Sequence, residues 1–182
     1  MPIDMYIRTK TRLNASGKKY TYAYITTTKY RKTKTPKQKV KQYLGRVFVF
    51  PKVQEKEVYP LEEIAKKSLK EALKDLICRE LQSYGFNKEG EKWVKEEIII
   101  DFYEPSIKNK ISGKNVCIKL NEGILSTYAL KQLLFYILPR AREKEIAKDF
   151  AKKCVEAGLT LEKSLFIELF NQIKLMIINS NR

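Results

Sequence analysis

The sequence contains no histidine. Without an imidazole the chain cannot form a Ser-His-Asp or Cys-His catalytic couple, an HExxH zinc helix or a zinc finger with histidine ligands. It also lacks the side chain that acts most often as a general base near neutral pH. This absence excludes several large classes of enzyme and zinc protein, and it favours binding over catalysis.

Cysteine and glycine are scarce, at three and seven residues. Cys78, Cys117 and Cys154 are spread nearly evenly and form no CxxC pair, so they predict neither a disulfide framework nor a zinc ribbon. We expect buried thiols in a reducing compartment. The glycines form neither a phosphate-binding loop nor a dinucleotide-binding turn, and we predict no cofactor and no metal.

Long apolar runs are also missing. The N-terminal end carries Asp4 and Arg8 where a signal peptide would be apolar, and charged residues interrupt the later apolar stretches. We therefore predict a cytoplasmic protein without a membrane partner. Since 43% of the 182 residues are hydrophobic, the chain can form a substantial core. Abundant lysine, glutamate and isoleucine are typical of thermophile proteins, many of them archaeal.

Positive charge is plentiful, and it is concentrated at the N-terminal end. The net charge is +16, and residues 1–50 hold 13 basic residues against a single acidic residue, Asp4. These residues therefore carry +12 of the excess and leave +4 for the other 132 residues. So local an excess predicts a polyanionic partner.

The basic segment also has the alternation of β-strands. Residues 3–10, 20–25 and 37–44 alternate apolar and polar side chains with a period of two. Turn-forming residues occupy 14–17 and 32–36 between these stretches. We predict a three-stranded antiparallel meander whose inward side chains are Ile3, Met5, Ile7, Ala23, Ile25, Val40 and Leu44.

The same period would place basic and tyrosine side chains together on the outer face. Ammonium and guanidinium groups displace the counterions of a phosphate backbone, and tyrosines stack on unpaired bases or donate a hydroxyl to phosphate. A β-ribbon is also narrow enough to enter the major groove of a duplex. The alternative is a solvated basic face with its tyrosines packed inward. The predicted nucleic-acid-binding residues are Arg8, Lys10, Arg12, Lys18, Lys19, Tyr20, Tyr22, Tyr24, Lys29, Arg31, Lys32, Lys34, Lys37, Lys39, Lys41, Tyr43 and Arg46.

The rest of the chain has mixed periodicity. We predict an α+β fold, with a basic β meander domain at 1–58 and an α+β body at 59–182. The body would contain one long helix at 61–84, a small sheet or hairpin region formed by 93–103 and 115–120, and helices at 126–138, 139–157 and 160–178.

The last two predicted helices form a helical hairpin across Gly158. The final helix has a wide apolar face that includes Leu165 and Leu169, so it predicts a buried hairpin or a homodimer surface. A DNA-reading helix-turn-helix is the less favoured alternative, because Glu162 and Glu168 would repel phosphate.

One acidic cluster, Glu96, Glu97, Asp101 and Glu104, could hold a divalent metal ion. In a strand Glu97 and Asp101 would share a side and Glu104 would face the other. No Asp or Glu has a lysine two residues later, so the D/E-x-K core of many nucleases is missing. We predict an exposed acidic edge without catalysis. Two alternatives are a metal-dependent nuclease using Asp101 and the neighbouring glutamates, and an oligomeric module whose basic sheet binds an acidic protein partner.

Short motifs mark the N-terminal strands: Met5-Tyr6-Ile7-Arg8, then Ser16-Gly17-Lys18 before Tyr20 and Tyr22, then Tyr43-Leu44-Gly45-Arg46-Val47. Together they resemble the opening arm of DDE-type insertion-sequence transposases, over a quarter of the chain. In that family the arm precedes DNA-handling regions and a longer catalytic domain, so the resemblance implies contact with DNA rather than RNA.

The catalytic part of that family is not recognisable in the later sequence. Beyond residue 50 the only aspartates are Asp75, Asp101 and Asp149, and the chain is too short for a domain with three spaced acids. The resemblance therefore implies DNA binding alone. The protein would be a domesticated relic of a transposase, a product of a mobile element, or an unrelated basic meander.

Overall fold

A computed structural model describes residues 4–31, 34–53 and 60–180 of the chain. The fold is mixed α+β, as predicted. The strands in these ranges are β1 (Asp4–Leu13), β2 (Lys19–Arg31), β3 (Lys34–Val49), β4 (Asn87–Glu89), β5 (Lys92–Lys95), β6 (Ile98–Asp101), β7 (Ser106–Asn109), β8 (Val116–Leu120) and β9 (Gly123–Leu125). The helices are α1 (Leu61–Ala65), α2 (Leu69–Ser83), α3 (Thr127–Leu134), α4 (Glu143–Ala157) and α5 (Lys163–Ser180).

The N-terminal strands β1, β2 and β3 form an antiparallel meander, which confirms that prediction. Asn14 holds the first turn, because its Oδ1 accepts hydrogen bonds from the backbone amides of Ser16 and Lys18 at 3.1 and 2.8 Å. The second connection, predicted at 32–36, lies partly outside the described residues. Both β2 and β3 are longer than their predicted stretches.

The meander continues into the later part of the chain. Residues 46–49 of β3 pair in parallel with 116–119 of β8, and β8 pairs antiparallel with β9. The resulting five-stranded sheet has the order β1-β2-β3-β8-β9. The boundary predicted after residue 58 lies outside the described residues, and this one sheet joins strands from both sides of it.

Gly45 pairs with Ala23 of β2 and directly precedes Arg46, where β3 begins to pair with β8 on its other edge. Its φ is 140°, and a Cβ there would lie 2.6 Å from the Asn115 carbonyl oxygen and 2.8 Å from the Val116 Cα. Non-bonded atoms do not approach so closely without displacement of the backbone. The absence of a side chain at Gly45 therefore lets the two strands meet.

The second sheet is antiparallel and contains β4, β5, β6 and β7 in chain order. The segment predicted at 93–103 is divided between β5 and β6, because Glu96 adopts a left-handed conformation with φ 50° in the turn between them. Trp93, Ile98 and Ile100 are buried. They join α2 in the main hydrophobic core.

The prediction of one long helix at 61–84 is wrong in detail, since this segment forms two helices, α1 and α2. A new helix begins at Ser68, whose hydroxyl accepts from the Glu71 amide while the Glu71 carboxylate accepts from the Ser68 amide. This reciprocal capping box satisfies amides that the first turn of a helix leaves unpaired. The start of α2 is therefore set by the capping residue Ser68, which the spacing of apolar residues in the sequence does not reveal.

The arrangement of the two C-terminal helices also differs from the predicted helical hairpin. Gly158 ends α4 with φ 85°, as the sequence indicated. Helix α5 contacts α4 through the rings of Phe150 and Phe166, whose centroids are 5.8 Å apart, and through an ion pair of Lys174 with Glu143 at 2.7 Å. It also packs on α1 and α2, where Gln172 Nε2 donates to the carbonyl oxygens of Ala65 and Lys67 at 3.4 and 2.8 Å. Leu165 and Leu169 are buried in this packing. No helix within the described ranges is long and apolar enough to cross a membrane.

A small second core supports the meander. It contains Ala23, Ile25, Leu44, Val47, Cys117 and Ile124, with Ile7 and Tyr128 packed against it. These side chains come from β2, β3, β8 and β9, and they lie on one face of the five-stranded sheet. The small core therefore supports this face of the meander. On the other face Phe48 packs against the main core, and most of the remaining positions of β1 to β3 carry tyrosines and polar side chains.

Candidate nucleic-acid interface

The strand register brings basic and tyrosine side chains together on one face of the meander. Arg8, Lys10 and Arg12 of β1 lie directly opposite Tyr24, Tyr22 and Tyr20 of β2. On the other side of β2, Tyr43 lies opposite Tyr24, and Arg46 lies opposite Tyr22. Directly opposite residues project from the same face of a sheet. We call this surface the tyrosine face: Arg8, Lys10, Arg12, Tyr20, Tyr22, Tyr24, Tyr43 and Arg46.

Three of its tyrosines form a contiguous aromatic cluster. The Tyr43 ring centroid lies 5.4 Å from that of Tyr24 and 6.2 Å from that of Tyr22. The rings are tilted by 54° and 47°, so they do not stack in parallel. Tyr22 and Tyr24 are half-buried, whereas Tyr43 is 53% exposed. Tyr43 therefore lies at the solvent side of the cluster.

Cations lie over the flanking rings. The Arg46 guanidinium carbon is 4.2 Å from the Tyr20 ring centroid and 4.8 Å from that of Phe48, and Lys10 Nζ is 5.7 Å from that of Tyr24. These are cation–π distances. Lys10 and Arg46 remain exposed. The aromatic rings thus orient cationic groups that stay accessible to an anion.

Further from the cluster, hydrogen bonds connect the strands on this face. Arg8 donates from Nη1 to Gln38 Oε1, which links β1 to β3 across β2. Thr28 Oγ1 donates to the Tyr6 hydroxyl at 3.3 Å. Tyr6, Gln38 and Phe48 are residues of this face that the sequence prediction omitted. The position of Tyr6 could have been found, because it shares the strand parity of Arg8.

The face has an uncompensated positive charge. The sequence has no acidic residue between positions 5 and 53. The ion pairs formed among the described residues join side chains from Lys67 onward and leave out the cations of the tyrosine face. Nearby exposed charges of one sign add to a shared potential. The surface is thus suited to a polyanion.

Register shifts change part of the predicted face. Gly45 pairs with Ala23 and Tyr43 with Tyr24, so Leu44 is an extra residue in β3; Lys41 is a second one. Such bulges reset the alternation of side chains. As a result Lys37 and Lys39, opposite Lys29 and Thr27, lie on the face of Ala23 rather than with Tyr43. Lys37, Lys39 and Lys41 are all exposed.

The inward set needs a related correction. Val40 lies opposite Thr26 and therefore on the tyrosine face, where it is exposed, because the bulges reverse its parity. Met5 is exposed as well. It lines the rim of a cavity of about 260 Å³ between β1, α3 and α4. Ile3 lies outside the described residues, and Ile7, Ala23, Ile25 and Leu44 face the small core as predicted.

The other predicted contacts surround this face. Lys18 is exposed in the first turn, and Lys19 is exposed opposite Leu13, at the beginning of β2. Lys29 and Arg31 lie in the last part of β2, and Lys34 is the first residue of β3. Lys32 lies outside the described residues. The predicted positions within the described ranges therefore lie on the tyrosine face, in the first turn and along the rest of β2 and β3.

Tyr43 keeps its hydroxyl proton at neutral pH. Burial raises the pKa of this phenol above its ordinary value, and the neighbouring Tyr22 and Tyr24 hydroxyls raise it further. The phenol therefore adds no negative charge to the face, and it can donate a hydrogen bond to an anionic oxygen.

The acidic cluster has a different arrangement. Asp101 Oδ1 accepts from the backbone amides of Tyr103 and Glu104 at 2.9 and 3.0 Å, and Lys92 Nζ lies 3.3 Å from Asp101 Oδ2. Burial alone would raise the pKa of Asp101, but the amide of Glu104, the Lys92 ammonium and the amide of Tyr103 outweigh it and lower the pKa below its ordinary value. Within the described residues, no three acidic, cysteine or histidine side chains converge to hold a metal ion.

No protein family, curated protein or solved structure matches this chain. The resemblance of the meander to transposase arms therefore stays a prediction. The site is defined by its own geometry: a half-exposed tyrosine cluster, surrounded by exposed cations, on a sheet that is fixed from its other face.

Proposed function

We propose that the protein binds nucleic acid in the cytoplasm through the tyrosine face and the exposed lysines of β3, and that its main contacts are with the phosphate backbone. The observation that carries this proposal is the arrangement of Arg8, Lys10, Arg12 and Arg46 around the tyrosines, in a segment whose sequence has no acidic residue between positions 5 and 53. Exposed cations of this kind release condensed counterions when they neutralise phosphates. The preference for DNA over RNA rests on the resemblance of the arm to transposases.

The β2–β3 ribbon also indicates how the protein would contact DNA. Lys37 and Lys39 project from the face opposite to Tyr43, so the ribbon has cations on both of its faces. Thr28 is the last described residue of β2 that pairs with β1, so beyond it β2 and β3 form a two-stranded ribbon. A two-stranded ribbon fits the major groove, where the phosphate backbones lie on either side. Contacts of this kind position a protein on DNA without reading its sequence.

The test is a titration of the full chain with labelled duplex DNA, single-stranded DNA and structured RNA at several salt concentrations, followed by fluorescence anisotropy. Each phosphate neutralised on a duplex contributes about 0.9 to the slope of log affinity against log salt. We expect a triple variant, Arg8→Gln, Lys10→Gln and Arg12→Gln, to weaken binding and to lower this slope by about 0.9 for each phosphate that the variant no longer neutralises.

The control is a triple variant of exposed lysines outside the meander, Lys110→Gln, Lys144→Gln and Lys163→Gln, which removes the same charge. Equal weakening by the two variants would reduce the effect to net charge and contradict the assignment to this face. Tighter binding of RNA would overturn the preference for DNA. A protein that bound acidic polypeptides and none of the nucleic acids would support the interaction module instead.

Two further proposals follow from the sequence and remain open to test. A homodimer through the C-terminal helices is a proposal that the exposed Ile167, Leu175 and Ile178 of α5 make reasonable. The nuclease alternative has less support, because Asp101 is occupied by two backbone amides and Lys92. Incubation of the titrated DNA with Mg²⁺ or Mn²⁺ tests it directly.

A further inference from the structure

Tyr43 differs from Tyr20 and Tyr24 in what covers its ring. Tyr20 lies under Arg46, and Tyr24 lies under Lys10. Among the described residues, Tyr43 has only tilted ring contacts, and neither a cation nor a parallel ring lies over it. It is also the most central of the β3 residues on this face. Tyr22 has no cation over its ring either, but it is half-buried, whereas Tyr43 is 53% exposed. Tyr43 therefore presents an aromatic surface that is both open and exposed.

An open aromatic ring between cations matches one kind of nucleotide. In a duplex each base is stacked between its neighbours and presents only its edge in a groove. An unpaired base presents its flat surface, and an aromatic side chain stacks on that surface whatever the base is. Lys10 of β1 and Arg46 of β3, the strand that carries Tyr43, both lie opposite Tyr22 and provide cations for the neighbouring phosphates.

We infer that Tyr43 stacks on an unpaired base of bound DNA, with Tyr22 and Tyr24 supporting its ring from behind. This inference rests on the proposed function, and it adds that the tyrosine face selects unpaired over paired DNA. The support matters because Tyr22 and Tyr24 restrict the ring of Tyr43 before a base arrives, so less side-chain freedom is lost on binding. The protein would thus prefer single strands, or duplexes with an unpaired segment, over a fully paired duplex.

The first measurement uses the unaltered protein, so it does not depend on the folding of any variant. A single-stranded DNA containing 2-aminopurine is titrated, and the same strand is titrated after pairing with its complement. Stacking on a tyrosine quenches 2-aminopurine fluorescence, so we expect quenching on binding in the single strand and little change in the duplex. Binding without quenching in the single strand would overturn the inference.

The second measurement compares Tyr43→Ala with Tyr43→Phe. Loss of one base–aromatic stack should weaken single-strand binding about fivefold or more, and Tyr43→Phe should keep most of the affinity because it keeps the ring. The matched control is Tyr103→Ala, which removes a tyrosine that is 87% exposed in the turn after β6. We expect this control to bind like the unaltered protein.

The outcomes separate this inference from the proposed function. If Tyr43→Ala weakens duplex and single strand equally, or if Tyr43→Phe loses as much as Tyr43→Ala, stacking is wrong. In either case the triple charge variant of β1 can still abolish binding and leave the proposed function standing. If no nucleic acid binds at all, both proposals fail.

Discussion

Tyr43, Leu44, Gly45 and Arg46 are consecutive residues of β3, and each has a separate role. Tyr43 lies on the tyrosine face, Leu44 is buried in the small core, and Gly45 lies against β8. Arg46 covers Tyr20 and Phe48. The sequence predicts Tyr43 and Arg46 as nucleic-acid-binding residues, and this stays a prediction. It could not indicate that Leu44 is an extra residue in the register, because a bulge depends on the strand opposite.

Asp101 has a structural role that its pH dependence can reveal. Its pKa is lowered from an ordinary value of 3.8, so the charged carboxylate stabilises the folded state above that value and the effect is lost as pH falls below it. Asp101→Asn keeps an acceptor for the two backbone amides and loses the ion pair with Lys92. We expect it to lower the free energy of unfolding by about 0.5–1 kcal/mol at pH 7.

That difference should shrink as the pH falls from 4 towards 2, which urea unfolding at a series of pH values can measure. Glu104→Gln is the control, because Glu104 lies in the same turn and makes no ion pair among the described residues. A difference between Asp101→Asn and the unaltered protein that persisted at low pH would contradict this account. Loss of magnesium-dependent cleavage in Asp101→Asn would instead support the nuclease alternative.

At the scale of elements, β3 connects the two parts of the fold. Its first part forms the ribbon with β2, and its last residues pair with β8. The alternation of residues was sufficient to predict the strand and its neighbour β2. Its second neighbour could not be predicted, because parallel pairing between residues 46–49 and 116–119 has no local sequence signal.

The close approach at Gly45 predicts a large effect of a small substitution. Gly45→Ala should lower the free energy of unfolding by about 2 kcal/mol or more, because it adds backbone strain to a clash with Asn115 and Val116. Gly17→Ala is the matched control, since Gly17 also has a positive φ, 77°, but has open space around it. We expect this control to cost about 1 kcal/mol in thermal or urea unfolding. Equal costs for the two variants would show that the approach of β8 is not what requires glycine.

The helices also show what local sequence patterns cannot predict. The apolar period predicted helical structure from 61 to 84, and the structure has α1 and α2 there. The interruption at Ser68 depends on one capping hydroxyl and one carboxylate. The predicted hairpin differs in detail, because α5 contacts α4 and also packs on α1 and α2, and that packing depends on residues distant in the chain.

At the scale of the whole molecule, charge and core are separated. The tyrosine face lies on the first three strands, and the main hydrophobic core lies among α2, the second sheet and the C-terminal helices. The body contributes the strands β8 and β9 that complete the sheet and its small core. The body therefore holds the tyrosine face in position although it carries little of the excess charge.

The three cysteines report on the integrity of both cores, since Cys78 and Cys154 lie in the main core and Cys117 lies in the small one. Cys78, Cys117 and Cys154 are all buried and free, and burial raises the pKa of each thiol to about 12. Because the thiolate is the reactive form, we expect none of them to react with dithionitrobenzoate within minutes at pH 8 in the folded protein. All three should react in guanidinium chloride.

A Ser16→Cys variant gives the positive control for this labelling, because Ser16 is exposed in the first turn. It should react at once in the folded protein, with a stoichiometry of one thiol. Rapid labelling of any native cysteine would show that the core opens on that timescale.

The sequence by itself determined the α+β class, the antiparallel meander and the concentration of charge on it, because alternation and composition are local properties of the chain. Only the tertiary structure decided which lysines share a face with Tyr43, which strand lies beside β3 and where α5 packs. These features depend on bulges, close approaches and side-chain packing between distant residues. The candidate site is therefore a local pattern whose final shape is set by the body that holds it.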